Sequence, residues 1–178
     1  RRTFSTPVGS VFEDEFREPG TGQYKLGRSW KGNQPWITSR MIKRPEDYRV
    51  VTYMVEHTEY VADYFPVEQA MEWLGEEGVV LDGLPHSPMQ MLMIHWVGSE
   101  GGRFFYDLAD YPDLVEELAQ AVSKSREPLY EIAAKSPAPI ALCGDNIDGV
   151  LVNPHLFEKY FMPEYDKQAR PLHRHGKL

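Results

Sequence analysis

The sequence predicts an α/β fold with a parallel sheet, and three observations support that prediction. Two short apolar segments, 78–83 and 140–143, have the length and composition of buried strands. Longer segments with apolar residues at three- and four-residue steps lie between and after them, as in amphipathic helices. No internal repeat or low-complexity linker divides the chain. Strands that alternate with long helices are typical of βαβ units, so we expect a single domain built around parallel strands.

The composition limits the classes of function. A chain of 178 residues, 42% of them hydrophobic, is long enough for one domain with its own core. The net charge of -8 argues against nucleic-acid binding as the main activity. No apolar segment approaches the roughly 18 residues of a membrane span. The single cysteine, Cys143, excludes an internal disulfide and favours a cytoplasmic protein; inside an apolar strand it is expected to be a small buried hydrophobe.

The N-terminal part is predicted to be a β-hairpin excursion. Residues 3–40 are rich in Gly, Pro and aromatic residues and have no helical period. We expect a strand over 6–13, a turn over 18–23, and partner strands over 24–30 and 35–41.

Helices are predicted farther along the chain from proline and acidic residues at their starts and from apolar periodicity. They are expected over 47–55, 66–75 and 89–97, from Asp110 onward, and from Pro154 onward. Pro128 either kinks the helix that starts at Asp110 or separates it from a further helix over 129–135, and both alternatives remain open.

Polar side chains follow the second predicted strand. Asp145, Asn146 and Asp148 come directly after 140–143 and precede a helix start at Asn153. Sites of α/β proteins lie at the carboxyl ends of strands. We therefore expect Asp145 and Asn146 to be catalytic residues that orient a substrate or hold a proton, and Asp148 to be a substrate-binding residue. The alternative is that these side chains close a turn or cap the next helix.

His86 lies in the loop after the first predicted strand. Loops that follow parallel strands emerge at the same face of a sheet, so His86 is expected to share that face with Asp145 as a third catalytic residue. The alternative is a surface loop residue. Three other histidines have expected structural roles: His95 packs inside an apolar helix, while His173 and His175 lie at a helix end that favours positive charge.

Several short motifs occur in order along almost the whole chain. They are Thr6-Pro-Val-Gly-Ser10; Arg44-Pro-Glu-Asp47; Ser87-Pro88 before an apolar helix; Phe105-Tyr-Asp-Leu108 with Tyr111-Pro-Asp-Leu-Val-Glu-Glu-Leu118; Gly144-Asp-Asn146; Asn153-Pro-His-Leu-Phe-Glu-Lys-Tyr160 with Met162-Pro163; and His175-Gly-Lys177. In order and spacing they resemble the uroporphyrinogen decarboxylase superfamily. That group contains the heme-pathway decarboxylase and the corrinoid- and coenzyme M-dependent methyltransferases.

The resemblance implies a portion of a (β/α)8 TIM barrel with an N-terminal β-hairpin excursion. A whole barrel of this kind typically takes about 250 residues. The chain begins at Arg1 without an initiator Met, and a further strand is expected after Leu178. We therefore expect residues 1–178 to be a single partial domain, the central part of such a barrel, with sequence missing at both ends.

The resemblance leaves the activity open between two reactions. In the heme-pathway decarboxylases a tyrosine in the helix after a Gly-x-Pro turn contacts the tetrapyrrole. Aligning that turn on Pro88 places Ile94 at this substrate-binding position, which disfavours uroporphyrinogen-type decarboxylation. We expect instead a methyltransferase that moves a methyl group between a small methylated substrate or corrinoid and a thiol or corrinoid acceptor. A decarboxylase is the alternative, and a non-catalytic binding fragment is the third reading.

The same resemblance implies zinc and a corrinoid as candidate cofactors. In the methyltransferases a zinc-binding His-x-Cys lies on the strand just after the His-Gly-Lys segment, which here would be beyond Leu178. No metal ligand is therefore assigned within the chain. The expected partners are a small-molecule substrate, a corrinoid protein and further copies in a homo-oligomer, and neither nucleic acid nor a membrane.

Overall fold

The structure, a computed structural model, describes residues 1–16 and 36–178. An antiparallel sheet in the order β1-β2-β3 stands at the N-terminal end, and a separate pair of strands, β4 and β5, is parallel. The strands are β1 (Arg2–Thr6), β2 (Gly9–Phe16), β3 (Trp36–Ser39), β4 (Leu81–Leu84) and β5 (Ile140–Cys143). The described residues therefore form a mixed α/β fold with small sheets and no closed barrel.

The predicted single strand over 6–13 is wrong, because the hairpin turn lies inside it. β1 and β2 pair from Arg2 opposite Glu13 to Thr6 opposite Gly9. Gly9 has φ +142°, and a Cβ there would lie 2.9 Å from Val50 Cγ2, so this turn requires glycine. β3 confirms the partner strand expected over 35–41, whereas the turn and strand expected over 18–23 and 24–30 lie outside the described residues.

Eight α-helices occur in the described part of the chain, and two π-helical segments extend them. They are α1 (Pro45–Glu56), α2 (Phe65–Leu74), α3 (Pro88–Met91) continued by the π-helical Leu92–Trp96, α4 (Arg103–Asp110), α5 (Pro112–Ser125), α6 (Glu127–Lys135), α7 (Pro154–Leu156), the π-helical Phe157–Phe161, and α8 (Met162–Arg174). None of these helices is both long and apolar enough to cross a bilayer.

The predicted helices are all present. The structure also decides the alternative at Pro128 and contains one further helix, α4. Pro128 lies in the first turn of α6 and separates it from α5, which settles the alternative that the sequence left open. α4 was not predicted, because its aromatic first turn follows Gly102 in a left-handed conformation and has no polar N-cap. Asn153 caps α7 as predicted, since its side chain accepts a hydrogen bond from Leu156 N at 3.0 Å.

The main core lies between the hairpin, α1, α3, α5 and the segments that follow β5. Asp107 in α4 is buried within it and accepts hydrogen bonds from Tyr48 Oη and Arg103 Nε, both at 2.9 Å, so α1 and α4 are joined by a satisfied polar contact. α2 is different, because none of its residues is buried and Phe65 and Trp73 are exposed. The largest fully buried apolar side chains are Tyr48, Tyr130, Phe104, Phe161, Ile42, Leu92, Met93 and Leu118.

The parallel pair β4 and β5 confirms the sheet direction that the sequence predicts. Leu81 is paired with Ile140 and Leu84 with Cys143, so both strands end at the same edge. Leu178 forms backbone hydrogen bonds with the other edge of β5. Its N–H donates to the Pro139 carbonyl at 3.3 Å, and its carbonyl accepts from Ala141 N at 2.9 Å, as in a parallel ladder.

The two faces of the parallel pair have different environments. Leu84 and Ala141 pack against a cluster of Ala133, Ala134 and Leu172 from α6 and α8. Paired residues of neighbouring strands share a face, and alternate residues point to opposite faces. On the other face Leu81 is 47% exposed and Leu142 is 53% exposed. That apolar face is not covered by any of the described residues.

Candidate functional site

His86 and Asp145 meet where the parallel strands end. β4 ends at Leu84 and β5 at Cys143, and each following loop carries one of the two residues. Nδ1 of His86 lies 3.0 Å from Oδ1 of Asp145. The sequence predicted this convergence for residues 59 positions apart, because parallel strands deliver their following loops to the same face.

The Asp145 carboxylate is held from three directions. It accepts the His86 hydrogen bond, the Ser87 N–H at 3.0 Å and the Tyr165 hydroxyl at 2.7 Å. Its side chain is only 2% exposed, whereas the His86 side chain is 28% exposed. The carboxylate therefore lies behind the imidazole, and the imidazole is the member of the pair that a small molecule can reach.

Tyr165 stays a hydroxyl donor in this arrangement. Burial, followed by the hydrogen bond to Asp145, raises the pKa of Tyr165 well above its usual range. The residue comes from α8, two helical segments after β5, so the carboxylate joins the β5 loop, the β4 loop and α8.

The backbone of His86 is also fixed. The guanidinium of Arg126, which is buried between α5 and α6, donates a hydrogen bond to the His86 carbonyl oxygen. With Nδ1 bonded to a carboxylate, Nδ1 is the donor, and Nε2 is the ring nitrogen that remains for a ligand. His86 thus has the environment of an oriented general acid or base.

A second imidazole lies against the first. The ring centroids of His86 and His95 are 5.2 Å apart and the ring planes differ by 30°. Burial first, then the proximity of His86 and Arg40, lowers the pKa of His95. His95 is carried by the π-helical Leu92–Trp96, in which Val97 N donates to the Leu92 carbonyl at 2.9 Å.

Cys143 ends β5 directly before the site. Burial, followed by the Asp145 charge, raises the pKa of the Cys143 thiol to about 11. Its Sγ lies 3.7 Å from the Pro85 carbonyl oxygen. A thiol with this pKa is protonated at neutral pH and is a weak nucleophile, which agrees with the predicted role as a small packing residue.

The other predicted site residues are not joined to the His86–Asp145 pair. Asn146 is exposed, and within the described parts of the chain no hydrogen bond links it to either residue. Asp148 accepts hydrogen bonds from Val150 N at 2.9 Å and Leu151 N at 3.0 Å, which is the turn role that the sequence left as the alternative. Ile94 is half-buried, and its carbonyl accepts a hydrogen bond from Arg40.

The helix start after His86 contains polar atoms without partners. Ser87-x-x-Gln90 has the sequence of a capping box, in which the Gln side chain would accept the Ser N–H. Here Asp145 takes that N–H, and Ser87 Oγ and both polar atoms of the Gln90 side chain are buried without a hydrogen-bond partner in the structure. Gln90 is 0% exposed. Asp145, which is distant in sequence, has therefore taken the place of Gln90 as the acceptor of the Ser87 N–H.

Sequence analysis missed four groups that shape the site: the Tyr165 hydroxyl, the Ser87 N–H, the Arg126 guanidinium and the His95 ring. Tyr165 lies within the helix that is predicted from Pro154 onward, and the apolar pattern of that helix gives no sign of the hydroxyl contact; Arg126 lies in the short connection between α5 and α6. The sequence does contain a signal for His95: His86 and His95 lie on either side of α3, the short helix that follows β4.

The described residues offer no site for zinc, since they contain no group of three or more His, Cys, Asp and Glu side chains that could hold a metal ion. His173 and His175 lie at the C-terminal end of α8, where the sequence places them, and His175 Nδ1 is 3.0 Å from the Pro171 carbonyl oxygen.

Comparisons of the chain with protein-family models, curated proteins and solved structures found no match.

Proposed function

We propose that this chain is part of an enzyme that binds a small molecule at the carboxyl edge of β4 and β5 and exchanges a proton with it through His86. The observation that carries the proposal is the 3.0 Å contact between His86 Nδ1 and a buried Asp145 carboxylate. A carboxylate behind an accessible imidazole selects the tautomer and fixes the ring, which is the arrangement that general acid–base catalysis requires.

The reaction that fits this pair best is methyl transfer. When a methyl group passes from nitrogen or oxygen to an acceptor, the electron pair of the broken bond stays on the heteroatom, which becomes strongly basic. When the His86 ring carries a proton on both nitrogens, Nε2 can give its proton to that atom and lower the barrier to departure, while the Asp145 carboxylate accepts the hydrogen bond from Nδ1 and stabilises the charged ring. The acceptor, as a thiolate or a reduced cob(I) corrinoid, supplies the electron pair of the new bond to carbon, and His86 regains its proton from solvent.

The resemblance to the uroporphyrinogen decarboxylase superfamily supports the methyltransferase assignment, and Ile94 at the expected tyrosine position argues against the heme-pathway decarboxylase. In that superfamily zinc, when bound, activates the acceptor thiol. Because the described residues provide no set of ligands for zinc, no step is assigned to it here.

The proposed architecture is the central part of a (β/α)8 barrel. In such a barrel the inner face of the sheet is apolar and the outer face packs on helices. The parallel pair has this polarity, with α6 and α8 on one face and the exposed Leu81 and Leu142 on the other. The His86–Asp145 pair would then lie at the barrel mouth.

The test is a methyl-transfer assay on the full-length enzyme. We would supply ¹³C-methyl-labelled amines, ethers and thioethers with cob(I)alamin or a small thiol as acceptor, and follow the label by NMR. Labelled product is expected, and both Asp145→Asn and His86→Gln should lower turnover by roughly 100-fold or more. His155→Gln, at an exposed histidine outside the site, is the control. No labelled product with any donor, or wild-type turnover in both site variants, would refute the proposal.

A further inference from the structure

The His95 ring packs against the His86 ring, which Asp145 contacts at Nδ1. Asp145 holds the ring through Nδ1 and Arg126 holds the backbone carbonyl, and packing of a neighbouring side chain against the ring adds a further restraint on its rotation. The His95 ring lies 5.2 Å from the His86 ring at a tilt of 30°. This distance is within the range of about 4.5–7 Å in which aromatic rings attract each other.

The position of His95 depends on a backbone feature that helices seldom contain. The π-helical Leu92–Trp96 inserts an extra residue in the turn and so changes the direction of the side chains that follow. Gly98, with φ +91°, ends the segment, and its carbonyl accepts a hydrogen bond from Phe104 N at 3.0 Å. Single π-helical turns within α-helices are common at functional sites.

The charges around His95 come from two further elements. Arg40, in the connection before α1, donates to the Ile94 carbonyl one residue before His95, and its other terminal nitrogen pairs with Glu100 at 2.5 Å. His86 faces the ring from the β4 loop, with Asp145 beyond it. Among the described residues, His86 and Arg40 therefore lie near His95, and the Glu100 carboxylate pairs with Arg40.

We infer that His95 is a positioning residue for His86: its ring packs at a tilt against the His86 imidazole and helps to hold it with Nδ1 toward Asp145 and Nε2 toward the substrate. The inference rests on the proposed proton-transfer role of His86. Burial, His86 and Arg40 lower the pKa of His95, so its ring adds no positive charge beside His86.

The first test uses the chain without any substrate. Histidine resonances in long-range ¹H–¹⁵N spectra would be assigned by substituting the six histidines one at a time. We expect a nuclear Overhauser contact between the ring protons of His86 and His95, and a His86 Nδ1 proton that exchanges slowly with water. A wild-type spectrum without that contact overturns the inference, whether or not any variant folds.

The second test compares ring and non-ring substitutions. His95→Ala should speed exchange of the His86 Nδ1 proton by roughly 2- to 10-fold, the size expected for loss of one aromatic pair. His95→Phe keeps a ring and should restore the wild-type exchange rate, and His155→Ala should not change it. Equal exchange rates in wild type and His95→Ala overturn the inference.

Turnover of the full-length enzyme separates this inference from the proposed function. His95→Ala should lower kcat by about 10-fold or more with little change in KM, and His95→Phe should recover most of the loss. If the Asp145 and His86 variants turn over normally while the ring contact is present, the proposed function is wrong and the stacking remains. If His95→Ala alone has wild-type kcat, the positioning role is wrong.

Discussion

Tyr165 donates its hydroxyl hydrogen to Asp145 Oδ2 at 2.7 Å, and so binds α8 to the carboxylate that orients His86. The hydrogen bond joins two separate elements of the chain, because Asp145 follows β5 and Tyr165 follows the π-helical segment that leads into α8. Asp145 is therefore a structural junction as well as a member of the proposed site. Substitutions at Tyr165 are expected to separate these two roles.

Tyr165→Phe removes one hydrogen-bond donor and keeps the ring. A hydrogen bond to a charged group contributes roughly 1.5–3 kcal/mol, so the free energy of unfolding should fall by about 2 kcal/mol. Urea denaturation monitored by circular dichroism measures the change. Tyr160→Phe is the matched control: its hydroxyl binds Glu116 at 2.6 Å near solvent, and the loss there should be under about 1 kcal/mol. An equal loss in both variants would contradict a buried role for the Tyr165 bond.

Cys143 should be slow to react with iodoacetamide at neutral pH. Its pKa of about 11 exceeds the ordinary 9.0, so the thiolate becomes abundant only in strongly alkaline solution. The folded state binds this proton more tightly than the unfolded state. Stability from this group is therefore present below the ordinary thiol pKa and is lost as pH rises from about 9 to about 11.

Two measurements check the thiol prediction. The alkylation rate should rise with a midpoint near the raised pKa, and Asp145→Asn should move that midpoint downward because a nearby negative charge is removed. A midpoint at the ordinary thiol value in the folded chain would show that neither burial nor Asp145 acts on Cys143.

Gln90→Leu is expected to stabilise the chain. The Gln90 side chain is buried and neither its oxygen nor its nitrogen has a hydrogen-bond partner in the structure. An unsatisfied buried polar group costs roughly 1–3 kcal/mol, and an apolar side chain of similar size removes that cost. The free energy of unfolding should rise by about 1 kcal/mol, against no change for Gln120→Leu at an exposed position. A loss of stability in Gln90→Leu would indicate that the amide has a partner in solution.

The sequence predicted those parts of the site that depend on topology. The convergence of His86 and Asp145 follows from two parallel strands and needs no knowledge of side-chain packing. Tyr165 could not be found this way, because its contact depends on how α8 is rotated against the sheet. The Ser87-x-x-Gln90 signal was locally correct and was overridden, since Asp145 from a distant strand competes for the same N–H.

The N-terminal error has a different cause. Pro7 and Gly9 are local turn signals, and they were read as part of one strand because apolar residues continue on both sides of them. The helix predicted over 66–75 illustrates a further limit: apolar periodicity predicts that a helix has an apolar face, but it does not say that other residues of the chain cover that face.

The uncovered apolar surfaces predict self-association of the isolated chain. Leu81 and Leu142 lie exposed on one face of the parallel pair, and α2 exposes Phe65 and Trp73. Exposed apolar faces of this kind associate in water, because burial against another copy removes them from solvent. Sedimentation velocity at increasing concentration should show oligomers, and Leu142→Glu should shift the distribution toward monomer. Val61→Glu changes an exposed valine outside the sheet and should leave the distribution of oligomers unchanged. A monodisperse wild-type monomer with a sharp two-state thermal transition would show that this face is stable in water, and the exposed face would no longer support the proposed barrel.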